Sequence, residues 1–194
     1  MSCLLDAGVA FDCDALQQGG IQNFFYILNY SELKTATVTV DTGVTEEITA
    51  ITLTETGAAA FKITCPKSMN IIVTSVLRAV DGVDGFDDTV DFRINSIEQL
   101  VRTNLSRMRF NKVAIIVPLL DGRAMLYGSR VNDTPEVQGV GMRLSDWQDN
   151  QGDAGVGGTL QAVAKTPDGD PPEVGTRQVI ASTVDLEALL TPIV

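Results

Sequence analysis

From Thr35 to Thr64 the chain alternates between apolar and polar positions with a period of two. Thr37-Val-Thr-Val40 alternates, Asp41-Thr-Gly43 turns, Ile48–Thr54 alternates again, and after Thr56-Gly57 the run Ala58–Thr64 returns. Threonine and β-branched apolar residues in this order suit a pleated sheet with one face buried. Turns this short join antiparallel neighbours, because a parallel crossover needs a dozen or more residues. Upstream, Gly19-Gly20 breaks the chain before the apolar and aromatic run Ile21–Asn29, which reads as a buried strand. Downstream of Cys65-Pro66-Lys67, Asn70–Val80 reads as another strand.

The period then changes. Ser96 and Gln99 form a capping box, and Ile97, Leu100, Val101, Leu105 and Met108 recur on one helical face. The pattern predicts a helix over 96–110, with Arg107 and Arg109 near its C-terminal end, where positive charge suits the helix dipole. The dense run Val113–Val117, the turn Asp121-Gly122 and the return Ala124–Tyr127 predict a hairpin directly after it. Val137–Leu144 is a strand candidate weakened by Gly139 and Gly141, and Ser145–Gly155 reads as a polar, turn-rich segment. Gly158–Lys165 and Val179–Val184 are further strand candidates, and Asp185–Leu190 is a candidate helical turn. The loop Thr166–Pro172 between them is a firm stop. The expected organisation is an N-terminal arm over 1–20, a β-rich domain over 21–165 and a C-terminal extension over 166–194.

Composition narrows what such a chain does. The 194 residues suit one domain with a sizeable core. The net charge of −11 argues against gripping nucleic acid, which depends on Lys and Arg neutralising phosphates, and against an anionic membrane surface. Aromatics at 6% leave little material for stacking platforms. There is no histidine, so the commonest general base and metal ligand is missing. Cys3, Cys13 and Cys65 are odd in number and widely spaced, which suits buried thiols in a reducing compartment better than disulfides. The N-terminus lacks a basic region followed by an apolar run, and no apolar run approaches the roughly 20 residues of a membrane helix. The expectation is a soluble protein made in a cytoplasm, with no membrane partner.

Two acidic segments are the candidates for chemistry. Asp81–Asp91 holds five Asp and two Gly in eleven positions, with Asp84, Asp87, Asp88 and Asp91 as the calcium candidates. Hard cations want several carboxylate oxygens, but the spacing departs from the EF-hand pattern, and a solvated acidic loop is the ordinary reading. The second cluster, 146–153 around Trp147, has the same two readings. No phosphate-binding loop is present: Val156-Gly-Gly-Thr159 lacks the required Lys, and Gly139-Val-Gly141 lacks a third glycine in a βαβ unit. Without histidine there is no nucleophile–histidine pair. No catalytic residue and no cofactor is expected; a calcium-dependent binding module is the outlying alternative.

The order of elements resembles the tail tube proteins of tailed bacteriophages. The likeness lies in several strands, one helix, the hairpin Lys112–Gly128 with its Asp121-Gly-Arg123 turn and Leu126-Tyr-Gly128, then an acidic loop and the strand at Thr159-Leu-Gln-Ala162. It spans roughly residues 20–165. The start, Cys3-Leu-Leu-Asp-Ala-Gly8 and then Gly19-Gly-Ile21, is similar to small virion proteins of phages of Bacteroidetes-type hosts. The resemblance implies a β-sandwich or partly open β-barrel with a flanking helix. It implies subunits that form rings, commonly hexameric, which stack into a tube that DNA traverses. It transfers no catalytic residues. Implied partners are sister subunits and other tail or neck proteins, with DNA passing unbound; the implied location is the virion tail, assembled in a bacterial cytoplasm. A head–tail connector, neck ring or capsid-decorating protein is the neighbouring alternative. An acidic chain fits a conduit to which DNA must not stick, and long alternating strands fit edges that join between subunits.

Overall fold

A computed structural model of the chain describes residues 20–41, 47–65, 71–80, 83–94, 99–131, 137–138, 141–150, 159–165 and 177–192. The arm expected over 1–20 and the loop Thr166–Pro172 lie outside them, Gly20 excepted. The chain begins with β1 (Phe24–Asn29), a short helix α1 (Tyr30–Thr35), β2 (Thr37–Val40), β3 (Ile48–Thr52) and β4 (Phe61–Thr64). A long hairpin, β5 (Ile71–Val80) and β6 (Val83–Ile94), precedes the main helix α2 (Gln99–Phe110) and a second hairpin, β7 (Val113–Pro118) and β8 (Ala124–Tyr127). Then come β9 (Arg130–Val131), β10 (Val137–Gln138), β11 (Arg143–Asn150), β12 (Thr159–Lys165), β13 (Arg177–Ile180) and a 3-10 turn at Glu187–Leu190.

The fold is mainly β. A seven-stranded mixed sheet runs β2-β3-β13-β8-β7-β1-β4 without closing into a barrel, and a four-stranded antiparallel sheet runs β11-β12-β6-β5. One core lies between the two sheets and α2. It joins Phe25 of β1 and Ile115 of β7 to Phe92 of β6, Leu144 of β11, and Leu105 and Met108 of α2. A second core covers the far face of the large sheet, where Tyr26, Ile116 and Ile180 pack with Leu33 of α1 and Leu189 of the 3-10 turn. The centre of the large sheet is therefore buried on both faces. In β7 the odd residues Val113, Ile115 and Val117 face one core, and the even residues Ala114 and Ile116 face the other. That explains an apolar run without alternation, since a strand covered on both sides has no solvent face.

Local chemistry sets the connections. At Asp121-Gly122, Gly122 takes φ 89° while the Asp121 carboxylate accepts from the Arg123 backbone N–H at 3.0 Å and from its Nη2 at 2.6 Å. Partial burial opposes ionisation of Asp121, yet the hydrogen bonds and charge of Arg123 prevail and hold its pKa below the usual value. Helix α2 ends where expected, with the Asn111 N–H donating to the Arg107 carbonyl at 2.9 Å; Ser96 lies outside the described residues.

The segment beyond 165 is no appendage where it is described. β13 pairs antiparallel with β8 and parallel with β3, inside the large sheet. The strand expected at Val179–Val184 is instead Arg177–Ile180, starting and ending earlier, and Ala181 leaves it by donating to the Ile48 carbonyl at 2.8 Å. The 3-10 turn is clasped to the opposite end of the sheet. Glu187 accepts from the Tyr26 hydroxyl at 2.8 Å and from Lys62 Nζ at 2.5 Å, and the Lys62 ammonium lies 4.1 Å from the centre of the Phe24 ring. Burial pushes the Tyr26 phenol far up, helped by its bond to the Glu187 carboxylate. The bond from Lys62, followed by that from Tyr26, holds Glu187 below the ordinary glutamate range.

Candidate assembly surface

The acidic segment 81–91 is not a loop. From Val83 onward it is strand β6, paired over Val83–Phe92 with β5 and over Thr89–Ile94 with β12. Asp and Gly disfavour strands, but the unbroken ladder to β5, the pairing with β12 from Thr89 onward and the inward packing of Val90, Phe92 and Ile94 override local propensity. The strand separates two of the calcium candidates. Asp88 is fully buried on the core-facing side with Val90 and Phe92, whereas Asp91, three residues on, takes the opposite face. Asp84 and Asp87 belong to the same strand, their side chains outside what is described. No group of three or more potential metal ligands occurs among the described residues. The second acidic segment is likewise corrected: Ser145–Asn150, read as turns, belongs to β11. A bulge between Leu144 and Asp146 resets the register there, so that Leu144 faces the core while Arg143 and Asp146 are exposed.

This hairpin also supplies an outer margin of the small sheet. β5 is ten residues long and forms an outer edge of the four-stranded sheet. Ile71 and Val73 point into the core, and Ile72, Thr74 and Val76 are exposed on the other face. Ile72 and Val76 are each 57% exposed, an unusual placement for β-branched apolar side chains on a strand edge. Natural edge strands are normally blunted by charge, proline or bulges. The other outer edges are β11 in the same sheet and β2 and β4 in the large one. On the outward face of the small sheet the described charges are mixed: Asp91 and Asp146 stand with Arg93 and Arg143.

Among the described residues no helix is long and apolar enough to cross a membrane. Comparison with family models, curated proteins and solved structures finds no match.

Proposed function

We propose that the protein is a structural subunit of a phage tail tube, assembling through its sheet edges into rings that stack around a DNA conduit. The observation that carries this reading is the open edge of β5, with Ile72 and Val76 exposed beside a ten-residue row of backbone groups. Edge-to-edge pairing satisfies those groups and removes apolar surface from water at about 25 cal/mol per Å². Further support comes from the order of elements around the Lys112–Gly128 hairpin and from the acidic charge of −11, which disfavours retention of DNA. Contacts between neighbours in a ring are heterologous and the stack of rings is open along one axis, so strand edges without a strand partner among the described residues fit such an assembly.

Negative-stain electron microscopy of the purified protein tests the reading. Rings and stacked tubes are expected at high protein concentration. A protein that stays monomeric with and without partner virion proteins overturns it, and single rings that never stack favour a connector or neck ring.

A further inference from the structure

A groove of about 570 Å³ is lined by residues of strand β4 and of helix α2. That volume falls in the range of small-molecule sites, about 300–1,000 Å³. Its apolar base is made of buried side chains, Ile27, Ile94, Met108 and Val113. The helix adds polar groups above that base: Asn104, Arg107 and Asn111, the last just past the helix end, are spaced i, i+3 and i+7 and share one side of it. The Arg107 guanidinium is exposed and has no ion pair among the described residues. The other cation at the groove, Lys62, is taken up by Glu187. No Asp or Glu is among the described lining residues. The surrounding sequence is one-sided in the same sense. From Gln99 to Leu120 there are four basic residues, Arg102, Arg107, Arg109 and Lys112, and no acidic one, in a chain whose net charge is −11. Arg107 and Arg109 in the last turn of α2 also offset the negative end of its dipole.

We infer that this groove binds a small amphiphilic anion: a medium-length aliphatic chain ending in one carboxylate. The chain lies on the base of Ile27, Ile94, Met108 and Val113 and leaves water there. The carboxylate meets Arg107, whose planar fork presents two parallel N–H donors to two carboxylate oxygens. The amides of Asn104 and Asn111 bring further donors to the same side. One unpaired charge in the wall suits a ligand with one charged end. A neutral chain forfeits the pairing with Arg107, and a cationic one is repelled by it. The assignment does not rest on the tube reading, since it concerns a single chain and no strand edge.

Titration of the full chain, carrying methionine labelled with carbon-13 at the methyl, tests it by NMR. The probes are decanoate, decanol and decyltrimethylammonium, each kept below its micelle concentration. Met108 lines the groove and Met125 does not. Decanoate is expected to move the Met108 methyl signal saturably and to leave that of Met125 in place. Decanol and decyltrimethylammonium are expected to bind at least about tenfold more weakly, the loss of one charge-assisted pairing. Arg107→Gln, at an exposed position, is expected to weaken decanoate about tenfold and to leave decanol unchanged. The absence of a saturable Met108 shift by about 1 mM decanoate overturns the assignment. Equal affinity for the three probes overturns it too, as does an unaltered decanoate affinity in Arg107→Gln. A Met125 shift as large as that of Met108 marks general loosening in place of a site and has the same force.

Discussion

The Gly141 N–H donates to the Gly128 carbonyl at 2.8 Å, and both glycines have positive φ, 68° and 81°. This contact is where the chain passes from the large sheet to the small one. A Cβ on Gly128 would lie 2.6 Å from Met142 Cγ and 3.1 Å from the Gly141 backbone. Gly57 has nearly the same φ, 82°, but nothing within 4 Å of a Cβ built there. Gly57→Ala is therefore expected to cost about 1 kcal/mol, the penalty of the left-handed region. Gly128→Ala is expected to cost about 3 kcal/mol or more, because crowding adds to strain. Urea denaturation of the two variants checks the difference.

Gln178 is buried at the centre of the large sheet, where its side chain completes a ladder that the backbone leaves short. Its Oε1 accepts from the Val131 N–H at 2.9 Å, and its Nε2 donates to the Val131 carbonyl at 3.1 Å. Gln178→Leu is expected to destabilise by about 2–4 kcal/mol, since it orphans a buried donor and acceptor together. Amide exchange at Val131 is expected to accelerate in parallel, measured by hydrogen–deuterium exchange.

Stability is expected to fall at both ends of the pH scale through the Tyr26–Glu187–Lys62 clasp. Glu187 has a depressed folded pKa, so its contribution is present above the ordinary glutamate range near about 4 and is lost as pH falls through the folded value. Tyr26 has a raised folded pKa, so its contribution is complete below the ordinary tyrosine range near about 10 and is lost as pH climbs beyond it. Tyr26→Phe is expected to flatten the alkaline limb of a Tm-against-pH curve, and Glu187→Gln the acid limb.

Cys65 is 1% exposed, and burial pushes its thiol up to about 12. Its alkylation by iodoacetamide at pH 8 is expected to be negligible in the native state and complete in denaturant, read by peptide mass spectrometry.

For assembly, Ile72→Lys and Val76→Lys are expected to abolish particles in electron micrographs while shifting Tm by less than about 2 °C, because both positions are exposed in the single chain.

Much of this fold is legible in the sequence because its elements are locally specified. The alternation of Thr37–Val40, the 3.6-residue period through Leu105 and Met108, and the Asp121-Gly122 turn each name their own conformation. The acidic loop expected at Asp81–Asp91 and the turns expected after Ser145 follow local propensity where pairing decides. β6 is a strand because β5 pairs along it in a hairpin and β12, far away in sequence, flanks its second half. The inward place of Gln178 was within reach. In Arg177-Gln-Val-Ile180, residues 178 and 180 share a face, and Ile180 is fully buried. The groove of about 570 Å³ lined by Ile63 and Thr64 of β4 and by Asn104, Arg107 and Met108 of α2 was not, because its walls come from elements far apart in sequence.

The position of β13 carries a consequence for biosynthesis. Among the described residues, the hydrogen-bonded ladder from β2 and β3 to β8, β7, β1 and β4 runs through the strand at Arg177–Ile180. On the ribosome the nascent chain holds two half-sheets with raw facing borders until that stretch clears the exit tunnel. Completion of the large sheet is thereby tied to the synthesis of one strand far downstream of both groups it joins, and deleting that strand is expected to leave two unjoined strand borders.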